Sequence, residues 1–346
     1  MNITTLGIDL AKNVFQLHGV DEKGQIVLKK KLSRQKFAEF VAKLSPCLIG
    51  MESCSGSNFW GRKFSEMGHT VKLISPQFVK PYVKSNKNDE NDAEAICEAV
   101  TRPNMRFVCI KSVEQQDIQA IHRIRSRIVK ERTALVNQIR GLLMEYGITV
   151  NQGIGQIRKK LPELIDETCE ELSQIGKELF NDLLCELRTV DEKVKEYDAK
   201  IESLCKSNAT AEKLLDIEGI GPLTATAIVA SIGDASVFKN GREMSAFVGV
   251  VPRQYSSGGK SRLLGISKRG DSYLRCLLIH GARAVVYRAK NLPEKKAKWI
   301  AGLIERRGKN RAAVALANKN IRTIWAIMTK GTEYSKDYCS EVAYSV

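Results

Sequence analysis

The stretch TTLGIDLAKNVFQLHGVDEKGQIVLKKKL, residues 4–32, reads as three short strands. TTLGIDL and VFQLHGV flank a tight connection, and Gly24 turns the chain into QIVLKKKL. Outward from there, a helix is expected near 35–44, followed by the apolar strand CLIGM, which ends at Glu52. A second helix runs through FWGRKFSEMG, the strand VKLISP comes next, and a further helix is expected near 91–101. Three meandering strands followed by alternating helices and strands specify a mixed sheet with helices on its faces.

The ribonuclease H-like fold has this order of elements. The chain of 346 residues is long enough for two or three domains, and its 43% hydrophobic content supports true cores. Its net charge is +16, from 55 basic and 39 acidic side chains, which points to a polyanionic partner, nucleic acid or an acidic membrane. No apolar run approaches a membrane span, and MNITTLGIDLAK lacks the regions of a signal peptide, so a cytoplasmic protein with no membrane partner is expected. Nine cysteines (47, 54, 97, 109, 169, 185, 205, 276 and 339) include no C-x-x-C pair and read as reduced thiols. With only His18, His69, His122 and His280, far apart in sequence, a zinc site is not expected.

Residues 113–146 and 162–206 are long, charged and almost free of glycine. Ile118, Ile121, Ile124, Ile128, Leu135, Ile139, Leu142 and Leu143 recur at helical spacing, as do Leu179, Leu183, Leu187, Val190, Val194, Tyr197 and Ile201. Pro162 and glycines 147, 153 and 155 break the two, giving an antiparallel helical hairpin or coiled coil that joins domains, makes an oligomer or holds RNA. From 214, LLDIEGIGPLTATAIVASIGD reads as a helix-hairpin-helix, in which Gly219 and Gly221 let backbone N–H groups approach a phosphate; a structural helical hairpin is the plain alternative. QYSSGGKSR is a polar glycine loop holding Ser256 and Ser257, flanked by Arg253, Lys260, Arg262, Lys268, Arg269 and Arg275. From Arg253 to Lys330 nineteen basic residues face three acids, which equals the excess of the whole chain and reads as a phosphate-binding surface. Arginines there can oppose charge on a scissile phosphate, and a serine among them is a candidate nucleophile.

Acids stand where acids are expensive. Asp9 lies between Ile8 and Leu10 on an apolar strand, and Glu52 ends another. In NKNDENDAEAICEAV (86–100), Asp89 and Asp92 share one face of the expected helix. Either they serve the helix start, with Asn88 or Asp89 as N-cap, or they join Asp9 and Glu52 around cations. Mg²⁺ favours oxygen ligands and substrate phosphates, and two ions suit phosphoryl transfer.

GIDLAK, MESCSGSNFW, SNKNDENDAEAICEA, GIGPLTATAIVASIGD and the PRQYSSGGK loop follow one another as they do in the DEDD transposases of bacterial insertion elements. The chain resembles the insertion-sequence 110 family, 1111 branch, over essentially its whole length. The resemblance implies an α/β plus all-α architecture: a RuvC-like catalytic domain (1–111), a coiled-coil helical hairpin (112–210) and a transposase domain with the helix-hairpin-helix (211–346). It implies the carboxylates Asp9, Glu52, Asp89 and Asp92 as ligands of Mg²⁺, two ions per site, and Ser257 as nucleophile with Ser256 as fallback. It also implies donor and target DNA, a structured guide (bridge or seeker) RNA, and a dimer or tetramer with carboxylates of one subunit meeting the serine of another. Ser57 and Asn58 stand where branch relatives often carry histidine, outside the implied ligands.

The function expected is RNA-guided DNA cleavage and strand exchange through a 5′-phosphoserine link, in a bacterial cytoplasm and at the nucleoid when active. A Holliday-junction-type endonuclease using water, or a non-enzymatic nucleic-acid binder with structural acids, are the alternatives.

Overall fold

The structure is a computed structural model that describes residues 2–84, 88–166 and 171–335. Cys169, Cys339 and the Asn86–Lys87 part of the acid motif lie outside the described residues. The other seven cysteines are free thiols. The chain divides into two compact units, residues 1–113 and 114–346.

In the first unit, β1 (Thr5–Leu10), β2 (Val14–Val20) and β3 (Ile26–Ser33) form an antiparallel meander. β4 (Leu48–Glu52) runs parallel to β1 and β5 (Thr70–Ile74) parallel to β4. A two-residue strand absent from the sequence reading, β6 (Phe107–Val108), closes antiparallel on β5, giving the order β3-β2-β1-β4-β5-β6. The helices are α1 (Arg34–Ala42), α2 (Ser57–Glu66), α3 (Pro76–Val79) and α4 (Asp89–Val100). The expected mixed sheet with helices is present, as in a RuvC-like domain.

The two-residue period of the strands divides the sheet's faces. Leu6 and Ile8, Phe15 and Leu17, and Ile49 and Met51 are buried with Phe37 and Val41 of α1 and Trp60 and Phe64 of α2. Phe15 stacks on Phe37 at 4.2 Å between ring centroids, and Trp60 meets Phe37 edge-on at 4.7 Å. The alternate positions carry glycine where α4 crosses. A Cβ on Gly7 would stand 2.3 Å from the Ala93 carbonyl oxygen, and one on Gly50 would stand 2.9 Å from Val100 Cβ. Glycine at both points brings the backbone of α4 down onto β1 and β4.

In the second unit, α5 (Val113–Glu145), α6 (Ile154–Ile165) and α7 (Gln174–Lys206) come first. α5 and α7 are antiparallel, since contacts that ascend one descend the other. Arg125 pairs with Asp198 at 2.5 Å and Arg132 with Asp191 at 3.2 Å, while Ile128 packs with Val190 and Val194, and Leu143 lies in one cluster with Phe180 and Leu184. Two expectations are corrected. Pro162 does not break the chain between the long helices; it lies inside α6, near its end, and α7 begins at Gln174 after the Ser173 cap. Leu179 is 57% exposed, and the buried stripe of α7 instead runs through Phe180, Leu184, Leu187, Val190 and Val194.

The remaining elements are α8 (Ala209–Leu214), α9 (Pro222–Ile232), α10 (Gly241–Val248), β7 (Pro252–Ser257), β8 (Lys260–Ile266), α11 (Ser272–Tyr287), α12 (Glu294–Arg307) and α13 (Lys309–Lys330). α13 is the hub: Ala313, Leu316, Ala317, Ile321 and Ile324 are fully buried in one cluster with Leu278 and Ala282 of α11 and Ile228 of α9. Among the described residues, no helix is long and apolar enough to cross a membrane.

Candidate active site

Asp9 shares a face of β1 with Gly7, two residues earlier. α4 lies against Gly7 at Ala93 and Cys97, so its first turn, carrying Asp89 and Asp92, comes over Asp9. The carboxylate oxygens of Asp9, Asp89 and Asp92 all lie within 4.8 Å of one another, with Asp9 and Asp92 half-buried and Asp89 exposed. The N-cap is Asn88, whose side chain accepts from the Glu90 N–H, and the helix begins at Asp89 rather than 91. Asp89 is therefore released from capping. The positive end of the helix favours acids here, but three converging carboxylates repel one another unless a cation lies between them. Oxygen donors at this spacing fit a hard divalent ion.

Glu52 is not one of the three whose oxygens all lie within 4.8 Å of one another. The parallel register pairing Ile8 with Met51 leaves Glu52 next to Asp9 across the β1–β4 boundary, on the face of Gly50. Cys54, just beyond, registers both charges: burial first, then Glu52 and Asp9, push its thiol up. Two neighbours escaped sequence reasoning. One is Cys54. The other is His18, paired with Gly7 on β2 and 3% exposed, whose Nδ1 has no hydrogen-bond partner among the described residues. Burial lowers the His18 pKa, Glu94 and Glu90 oppose that, and Lys29 and Lys84 reinforce it. Strand parity opposite Gly7 was the signal that could have placed it.

The serines belong to the second unit, and not to an irregular loop. β7 and β8 form a two-stranded ribbon joined by Gly258 and Gly259, at φ +56° and +78°. Positive φ at both central residues matches the twist of a two-residue hairpin turn and favours glycine there. The ribbon's base is pinched shut. A Cβ on Gly249 would stand 1.9 Å from the Arg269 carbonyl oxygen, and one on Gly270 would stand 2.0 Å from that of Phe247. Arg275 Nη1 donates to the carbonyls of Val248 and Arg269, both at 3.1 Å, so this arginine braces the base. Arg253, Lys260 and Arg262 lie on the ribbon itself, with Lys268 and Arg269 where it re-enters the helices.

Residues 211–299 match the family model described as Transposase IS116/IS110/IS902 family, and residues 6–148 match the IS110-type DEDD model described as Transposase. The chain is 50% identical over 333 residues to the transposase for insertion sequence element IS1111A of Coxiella burnetii, covering 96% of this chain and 92% of that one. It is 48% identical over 335 residues to a probable family 20 transposase of Pseudomonas aeruginosa, covering 96% and 99%. It is 43% identical over 335 residues to the transposase for IS1328 of Yersinia enterocolitica, covering 97% and 99%. The chain belongs to the IS116/IS110/IS902 transposase family.

In this transposase the turn between α8 and α9 has two different glycines. Gly219, at φ +91°, packs against Gly281 of α11; a Cβ there would stand 2.9 Å from the Gly281 carbonyl. Gly221 caps α9 and faces open space. A cavity of about 430 Å³ lies alongside, lined by both glycines, Gly281 and Arg288. Glu218 anchors the turn: Lys296 Nζ donates to its carboxylate at 2.6 Å, Tyr334 OH donates to the same oxygen, and Asn320 Nδ2 donates to its carbonyl at 3.0 Å. Burial opposes ionisation of Glu218, but Lys296 and Tyr334 outweigh it and hold the carboxyl below its usual range.

Proposed function

We propose that the transposase cuts and rejoins DNA by phosphoryl transfer, with Asp9, Glu52, Asp89 and Asp92 holding two Mg²⁺ ions and Ser257 as nucleophile. The observation that carries the reading is the convergence of three carboxylates from β1 and α4, within 4.8 Å, in a chain of net charge +16. Bound there, divalent ions supply charge neutralisation at the attacked phosphate and at the attacking and leaving oxygens. Ser257 Oγ forms a bond to phosphorus, the bond from phosphorus to the DNA 3′ oxygen breaks, and the hydroxyl proton passes to that oxygen. The product is a 5′-phosphoserine and a free 3′-hydroxyl. Attack by another 3′-hydroxyl reverses the step on a new strand, so bond energy is conserved and no nucleotide cofactor is needed.

Residues 1–111 would act as the catalytic domain, 112–210 as the hairpin coiled coil, and 211–346 as the transposase domain with the helix-hairpin-helix. The nineteen basic residues between Arg253 and Lys330 would hold the backbones of DNA and of a structured guide RNA, whose base pairing selects donor and target. Gly219 and Gly221 would contribute there, with the open side of Gly221 as the closer approach for a phosphate. The working assembly would be a dimer or tetramer in which the carboxylates of one copy act with the serine of another, at the bacterial nucleoid.

Asp9→Asn should abolish strand cleavage while leaving nucleic-acid binding within about twofold, because a neutral amide keeps the shape and removes a ligand charge. Chelation of divalent ions should do the same. Cleavage that survives both would overturn the reading.

A further inference from the structure

The register of the β7–β8 ribbon sorts its side chains into two unlike faces. Tyr255 is opposite Arg262 and Ser257 opposite Lys260, while Gln254 is opposite Leu263 and Ser256 opposite Ser261. Directly opposed residues and residues two apart share a face. One face therefore carries Ser257, Lys260, Tyr255 and Arg262, and the other carries Ser256, Ser261, Gln254 and Leu263. The second face spends its polarity internally, since Gln254 Nε2 donates to Ser256 Oγ at 2.9 Å. On the first, none of the four side chains makes a hydrogen bond, ion pair or ring contact among the described residues, and Tyr255 is 73% exposed. No acidic residue occurs between Glu243 and Asp271, so Lys260 and Arg262 have no counterion along this segment.

We infer that the Tyr255–Arg262 face is a strand-binding platform that takes one unstacked nucleotide of a DNA strand. The tyrosine ring stacks on the base, and Arg262 and Lys260 hold the phosphates beside Ser257. Three observations carry this: an exposed ring, two cations without local acids, and a serine, all projected from one side of a ribbon with a braced base. A tyrosine two residues from the serine stands about 6.6 Å along the strand, close enough for one nucleotide to touch both. A planar guanidinium suits phosphate oxygens in two-pronged contact, and an aromatic face accepts any base. The same sorting separates the two serines: Ser257 faces the platform and Ser256 faces away. That last point rests on the serine reading above; the platform itself does not.

The test is fluorescence anisotropy of the full-length protein with a labelled single-stranded DNA oligonucleotide of mixed sequence, and with its duplex. Tyr255→Ala should weaken single-strand binding roughly tenfold and Tyr255→Phe should restore it. Duplex binding should change far less, because its bases stay stacked. Arg262→Ala should weaken both and lower the salt slope by about one. Gln254→Ala and Leu263→Ala, on the opposite face, should stay within about twofold of the parent. Equal losses from both faces, or no rescue by Tyr255→Phe, would overturn the platform. Covalent adduct formation is scored separately: an adduct retained in Ser257→Ala together with single-strand binding lost in Tyr255→Ala removes the nucleophile assignment and leaves the platform standing.

Discussion

At the scale of single residues, the site depends on where side chains are missing as much as on where carboxylates are present. Gly7→Ala would place a Cβ 2.3 Å from the Ala93 carbonyl oxygen and 2.5 Å from the Cys97 nitrogen, both backbone atoms that can move only with α4. The substitution should destabilise the protein by about 1–3 kcal/mol and lift Asp89 and Asp92 from Asp9. The check is thermal unfolding together with the concentration of divalent ion that half-saturates cleavage, which should rise. His122 gives a second prediction. Thr226 Oγ1 donates its one proton to the Pro222 carbonyl at 2.7 Å, so it accepts from His122 Nε2, and Nδ1 accepts from Tyr273 OH, each at 3.0 Å. Burial, and then Arg125, lower this histidine to about 4. Its folded pKa is below the unfolded value near 6.5, so its contribution is fully present above about pH 6.5 and is lost as pH falls toward 4. His122→Gln should flatten the stability profile across that window, measured by denaturant unfolding at several pH values; an unchanged slope would contradict the neutral assignment. Asp9 was legible in the sequence because an acid inside an apolar strand stands out. That Ser256 and Ser257 lie on opposite faces of the ribbon was not readable from the residues alone, because strand register sets it and neighbouring serines have the same composition. Asn88 and Asp89 were equally ambiguous, since both are good caps and only the backbone chooses.

At the scale of elements, the hairpin shows why periodicity identifies a helix more readily than the face it buries. Leucines and isoleucines on α7 satisfy two overlapping stripes, and the reading through Leu179 and Leu183 missed Phe180 and Leu184, which are buried in one cluster with residues of α5 and α6. Leu187→Ala should therefore cost about 2–5 kcal/mol, whereas Leu179→Ala should remain within about 0.5 kcal/mol. Equilibrium unfolding of the two variants checks the order, and equal losses would contradict the packing described. Pro162 was read as a break because its ring disfavours a mid-helix position, yet it lies inside α6, three residues before the helix ends. The serine segment was read as a loop because its serines and glycines are turn formers, whereas Gly258 and Gly259 alone make the turn and the flanking residues pair as strands. The mixed sheet with helices needed no such correction, although β6, only two residues long, was too short to show a period.

At the scale of the whole molecule, the charge is unevenly distributed along the chain. The basic excess lies between Arg253 and Lys330, and the clustered carboxylates lie in residues 1–113. Nucleic-acid affinity should therefore fall steeply with salt for the parent and equally for Asp9→Asn, since Asp9 lies outside the basic stretch proposed to meet the phosphates. The most direct test of the central claim uses the covalent intermediate. DNA-linked protein trapped with Mg²⁺ can be digested with trypsin, which cuts after Arg253 and Lys260 and releases residues 254–260 as one peptide. Fragmentation mass spectrometry should find the phosphate on Ser257 within that peptide, and no linked species when Asp9 is Asn. Cleaved DNA with no protein attached, or a phosphate on any other residue, would contradict the account.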